Sequence, residues 1–194
     1  MALNVFGKPI GNETLKAMPK YQYNEVITAV DRAYEALIMK NADNKDVNAR
    51  KFVESLKKKY GASLVATLYF IYNAAGNRLT FVVSHDWEGH IGDCPYPLLL
   101  ENGQWGAFLH VQTSPYRGFV AATIYRGQDE SGDAFDWMLS WQNVWNDNNG
   151  VPDVLFVAQR HVMCSKGVFN LEKYQLAYMS SSRTIRLEEK RPYF

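Results

Sequence analysis

Cysteine is scarce in this chain of 194 residues: Cys94 and Cys164 are its two thiols, too few and too far apart for a disulfide framework or a cysteine-rich zinc site. Net charge is nearly absent as well. The 21 basic side chains stand against 20 acidic ones for a formal +1, so no bulk electrostatic footprint for nucleic acid exists and any partner must be read by a local surface. Long apolar runs are missing too. The most apolar stretch, Ala62 to Tyr72, is too short to span a bilayer, and MALNVFGKPIGNETL lacks the apolar core of a signal peptide. Synthesis in the cytosol without a signal peptide is the expectation. There is no nucleophile elbow, no phosphate-cradling glycine loop and no zinc-protease helix, and His161 and Cys164 lack the local signatures of a cysteine hydrolase. A non-enzyme that uses no cofactor is therefore expected.

What charge there is falls unevenly. Residues 1–60 carry 11 basic and 7 acidic side chains, whereas the remainder is net acidic, which implies two kinds of structure within one mixed domain spanning 1–194. In the first part, TAVDRAYEALIMKN sets Val30, Ala33, Tyr34, Leu37 and Ile38 at helical spacing behind a Thr28 N-cap, predicting a helix over 28–41. DVNARKFVESLKKKYG repeats the pattern through Val47, Phe52, Val53, Leu56 and Tyr60, with three lysines in the last turn and Gly61 as the stop, predicting a second helix over 46–60. Both apolar stripes are expected to cover a sheet.

From residue 61 the pattern changes to short runs rich in valine, threonine and aromatics. SLVATLYFIYN and RLTFVVSHDW flank AAGN, which predicts a hairpin closed at Ala74–Asn77. Further strands are expected in QWGAFLHVQT, FVAATIYRG, FDWMLSW, DVLFVAQRHV and YQLAYMSS, with turns at GQDESGD and NDNNG. The fold class is α+β: an antiparallel β-sandwich over 61–194 with the helices of 1–60 packed on it.

His85, Asp86, Glu88 and His90 are the metal-ligand candidates, but an odd separation of five puts His85 and His90 on opposite faces of a strand unless Gly89 bends it, and hydrogen-bonded loop residues are the simpler reading. Asp147 to Gly150 lacks the spaced ligands of a calcium loop and reads as a tight turn. The tryptophans are more informative. Trp87, Trp105, Trp137, Trp141 and Trp145 all fall within residues 87–145, and aromatics with a polar tip suit a membrane interface or a sugar face as well as a core. In FDWMLSW, alternation puts Phe135, Trp137, Leu139 and Trp141 on one face, whereas Trp87, Trp145 and the aromatics of DCPYP and TSPYRG sit beside turn signals, where binding surfaces form.

KNADNKDVNARKFVESLKKKYG, IYNAAGNRLTFVVSHDWEGHIG, PYPLLLENGQWGAFLHV, AATIYRG and DWMLSWQNVWN together resemble the plant jasmonate-induced protein family and its fungal lipid-binding relatives, from about Leu15 to Asn146. That resemblance implies an actinoporin-like fold and a partner in sphingomyelin/cholesterol membranes, held through the phosphocholine headgroup. It implies lipid-binding roles for Trp105, Ser114, Pro115, Tyr116, Tyr125 and Trp137, with Trp87 and Tyr96 as interfacial anchors. Cation-π attraction to the ammonium and hydrogen bonds to the phosphate would be the forces. The pore formers begin with a long amphipathic helix, whereas MALNVFGKPIGNETLKAMPKY is interrupted by Pro9 and Pro19, so membrane binding without pore formation is expected. The plant branch leans towards a carbohydrate-binding (lectin-like) or stress-response protein, since tryptophan stacks equally on a glycan. A hydrolase assembled around a histidine of the hairpin is the third class.

Overall fold

In WGAFLHV, Trp105–Val111, apolar residues run without alternation, the mark of a strand covered on both faces, and six of the seven residues are buried. This strand is β6 of a computed structural model that describes residues 4–60, 66–114, 118–129, 131–143 and 155–161. The other strands are β1 Val5–Phe6, β2 Ala66–Tyr72, β3 Leu79–Glu88, β4 His90–Ile91, β5 Leu99–Leu100, β7 Phe119–Gln128, β8 Ala134–Asn143 and β9 Leu155–His161; the α-helices are α1 Asn12–Lys16, α2 Ala29–Ile38 and α3 Lys45–Lys57. The expected strand YQLAYMSS, the turn NDNNG and the helix stop Gly61 lie outside the described residues.

Two antiparallel sheets form. In the first, β2 pairs with β6 along its whole length while β1 and β4 share the other edge of β6; in the second the order is β5-β3-β7-β8-β9. Phe108 and Tyr69 of the first sheet pack against Phe81, Ala121 and Trp141 of the second, which makes the inner layer of a sandwich. On the outer side of the first sheet, Ala49 and Val53 of α3 meet Ala107, and Leu56 meets Leu109 and Val111. The α3 stripe therefore covers a sheet as expected.

Two expectations are overturned. Residues 73–78 do not close a hairpin: β2 and β3 belong to different sheets, so AAGN is a corner of the sandwich. The turn chemistry was read correctly, with Asn73 Oδ1 accepting the Ala75 amide and Gly76 at φ 78°, but a turn does not dictate whether its flanking strands pair. The corner is fixed from outside. Buried Asn102 accepts the Gly76 amide and donates to the carbonyls of Ile10 and Arg32, while Arg32 Nε donates to the Gly76 carbonyl.

The second correction concerns α2. Its helix is capped as expected, with Thr28 Oγ1 accepting the Asp31 amide at 3.2 Å and Asp31 returning a bond to the Thr28 amide. Its apolar stripe, however, does not cover a sheet. Val30, Tyr34, Leu37 and Ile38 are 64, 52, 60 and 62% exposed, whereas Glu35 and Ala36 are buried. Small Ala36 joins Ile10, Leu15, Tyr21 and Ile27 in a separate core at the end of the sandwich, and Glu35 is held there by Tyr21 and Lys20.

Candidate functional site

The strand registers give the sandwich two ends. At one end stand the 73–78 corner, Trp105 and α2; at the other stand Glu88, His90, Val111 and Phe119. Between them the inner layer holds one polar cluster. His110 on β6 is fully buried, with Nε2 3.1 Å from Asp86 Oδ1 on β3, and the Tyr96 hydroxyl donates to the same oxygen at 3.2 Å. A bulge makes this meeting possible. Phe81 and Asp86 both face inward despite an odd separation, because the register of β3 on β7 slips by one residue between Phe81 and Val83.

Burial raises the Asp86 carboxyl, but the hydrogen bond and charge of His110, with the bonds from Tyr96 and the Ile91 amide, outweigh it and hold the group below the usual carboxylate range. His110 Nδ1, Trp141 Nε1 and Gln112 Oε1 are buried and find no hydrogen-bond partner among the described residues. The His110 and Trp141 rings lie edge to face at 5.7 Å. No hydroxyl or thiol other than Tyr96 reaches the pair among the described residues, and burial pushes the free thiol of Cys94 up, away from thiolate character. His85 packs edge to face on Trp87 at 4.8 Å, so the His85, Asp86, Glu88 and His90 run disperses into separate contacts.

Of the side chains expected to bind lipid, the six among the described residues do not converge. Tyr125 is completely buried between the sheets, edge to face with Phe81, and Tyr96 is 5% exposed, stacked on Phe81 and edge to face with Phe108. Both are corrected from surface to core. Their polar tips misled: Tyr96 spends its hydroxyl on Asp86, and the Tyr125 hydroxyl is buried without a partner among the described residues. Trp137 is half-buried beside Phe135 and packs against the Leu79, Leu100 and Tyr125 cluster. Trp105 is structural glue at the α2 end, where Nε1 donates to the Lys40 carbonyl at 2.9 Å and the ring meets Tyr72 at 4.8 Å.

Trp87 and Ser114 each lie toward the opposite end, one on each sheet. Trp87 is half-buried at the second bulge of β3, its Nε1 without a partner among the described residues, and Ser114 follows β6. Pro115 and Tyr116, next in the chain, lie outside the described residues, as does Trp145. A cleft of about 620 Å³ near the corner is lined by Asn12, Arg32, Asn77, Arg78 and Glu101, but its guanidinium groups are engaged: Arg32 with Asn12 and Asn77, Arg78 with Glu101.

Sequence reasoning missed the Asp86–His110 pair because the two residues lie far apart in the chain, on strands of different sheets that no local spacing links. It also missed the outward turn of α2, for which the periodicity of the helix carried no signal.

Comparison with known proteins is consistent across sequence and fold. A family model described as Nakanori-like protein matches residues 6–161. The 23 kDa jasmonate-induced protein of Hordeum vulgare is 46% identical over 153 residues, which is 78% of this chain and 71% of the barley protein. A jasmonate-induced protein homolog of Atriplex canescens is 27% identical over 85 residues, 44% of this chain and 45% of that protein. Among solved structures, the lipid-binding protein Nakanori superposes with a TM-score of 0.78 at 28% identity, covering 93% of this chain and 85% of its own.

Proposed function

The chain belongs to the Nakanori-like protein family, and from that premise we propose that it is a non-enzymatic peripheral membrane protein that binds lipid. The observation that carries this reading is the match of nearly the whole chain to a lipid-binding protein of the same two-sheet architecture. Its finer content is recognition of sphingomyelin together with cholesterol, on an actinoporin-like frame and without pore formation. The phosphocholine headgroup is placed at the end of the sandwich that carries Trp87 and Ser114, with Pro115 and Tyr116 following in the chain. A tryptophan face attracts the quaternary ammonium, and hydroxyl groups of serine and tyrosine donate to the phosphate. Tyr96, Tyr125, Trp105 and Trp137 act in this reading as scaffold.

The test is sedimentation with vesicles of stated composition. Pelleting is expected with sphingomyelin/cholesterol vesicles and not with phosphatidylcholine alone, and the same vesicles should retain an encapsulated dye. Equal pelleting with both compositions would remove the lipid specificity, and dye release would remove the no-pore claim. Binding on a glycan array, competed by free sugar, would favour the carbohydrate reading instead.

A further inference from the structure

Positive charge in this chain is concentrated on one helix. Between Lys45 and Tyr60 stand six basic and two acidic side chains, while the remaining residues together are net acidic. Lys45 is buried, but Arg50, Lys51 and the run Lys57, Lys58 and Lys59 are exposed, the run closing α3 and opening the short 3-10 turn Lys58–Tyr60. The dipole of α3 favours a cation there, and Lys59 is also held by Asp93 at 3.0 Å. Lys57 and Lys58 have no carboxylate within ion-pair distance among the described residues, and exposed Glu54 one turn earlier is no exception. These two unbalanced cations are carried on a fixed element, because Leu56 before them and Tyr60 after them both pack into the cluster of Leu109 and Val111.

Their place in the fold says what they face. Leu56 packs in the Val111 cluster and Ala66, the first residue of β2, pairs with Val111, so the last turn of α3 lies toward the end of the sandwich that carries Trp87 and Ser114. We infer that Lys57 and Lys58 are an anionic-lipid contact at that end, reading the phosphates of an acidic phospholipid in the bilayer on which the end docks. The inference rests on the lipid reading and adds a second lipid class to it. An ammonium near a negatively charged leaflet contributes about fivefold in binding, so the pair contributes on the order of thirtyfold. Exposed Glu88 opposes them at the same end, but from the second sheet. Nucleic acid fits less well, since it asks for a longer basic track than two neighbouring lysines in a chain of formal charge +1, and Arg50, further back on α3, leans over the Phe70 ring at 6.0 Å.

Pelleting of the full chain with sphingomyelin/cholesterol vesicles, with and without phosphatidylserine in place of part of the phospholipid, tests it. Phosphatidylserine is expected to tighten binding by about thirtyfold at about 0.1 M salt, where the Debye length is about 10 Å, and the gain should vanish at about 1 M, where that length is about 3 Å. Lys57→Gln with Lys58→Gln should remove most of the gain while leaving circular dichroism and pelleting without phosphatidylserine unchanged. Arg50→Gln with Lys51→Gln takes the same charge from the middle of α3 and should remove much less of it. No gain from phosphatidylserine, or a gain that survives the first double variant or falls equally in both, overturns the inference and leaves the lipid reading standing. Pelleting that needs phosphatidylserine and the two lysines but is indifferent to sphingomyelin and cholesterol would keep the inference and remove the headgroup specificity. Lysine-dependent retention of a single-stranded RNA, with no response to phosphatidylserine, would assign the pair to nucleic acid and overturn the inference as well.

Discussion

His110 Nε2 lies 3.1 Å from Asp86 Oδ1 across the interior of the sandwich, and the Tyr96 hydroxyl shares that oxygen at 3.2 Å. One carboxylate thus ties β6, β3 and the segment that carries Tyr96. Because the folded carboxyl is held below its usual range, its contribution to stability is complete above the ordinary carboxylate pKa of about 4 and is lost as pH falls through the lower folded value. Asp86→Asn should therefore flatten part of the acid-side fall in stability, measured by urea unfolding between pH 7 and pH 2. Asp86→Ala, which leaves a buried histidine and phenol without their partner, should cost about 1–3 kcal/mol at neutral pH. An unchanged pH profile in Asp86→Asn would show that other carboxylates govern the acid limb.

Gly76 is the residue on which the corner turns. At φ 78° a β-carbon would be strained, and it would also collide with the backbone carbonyl of Ala29 at the start of α2, which cannot withdraw as a flexible side chain could. Gly76→Ala is expected to cost about 2–3 kcal/mol and to loosen the attachment of α2. Hydrogen exchange at the α2 amides should rise more than exchange on β6. Uniform destabilisation without that bias would mean that the corner does not anchor the helix.

The strand layout was legible because β-branched and aromatic runs separated by turn residues leave few alternatives, and the β7–β8 turn GQDESGD lies where its letters put it, with Asp129 accepting the amides of Ser131 and Asp133. What periodicity could not convey was direction. A stripe at Val30, Tyr34, Leu37 and Ile38 marks one helix face as apolar but does not say that the face is turned inward; here Ala36, small enough to let the helix approach, was chosen for the core instead. The inward turn of Asp86 was hidden for a related reason. Each bulge of β3 reverses the count, so Asp86 faces the core and only a register, not a spacing, reveals it. The aromatic site dispersed because tyrosine and tryptophan serve a buried layer as readily as a wet edge, and the letters are the same in both places.

Tyr125 and Trp105 separate scaffold from ligand contact. The Tyr125 hydroxyl is buried without a partner among the described residues, so Tyr125→Phe should be neutral or stabilising within about 1 kcal/mol and should leave vesicle pelleting unchanged. Trp105→Phe loses the bond to the Lys40 carbonyl and part of the packing on Tyr72, which should lower stability by about 1–2 kcal/mol, again with pelleting intact once the protein is folded. Trp87→Ala is the opposite case, expected to weaken pelleting with a smaller effect on unfolding. Loss of pelleting in folded Tyr125→Phe would return that residue to the binding site.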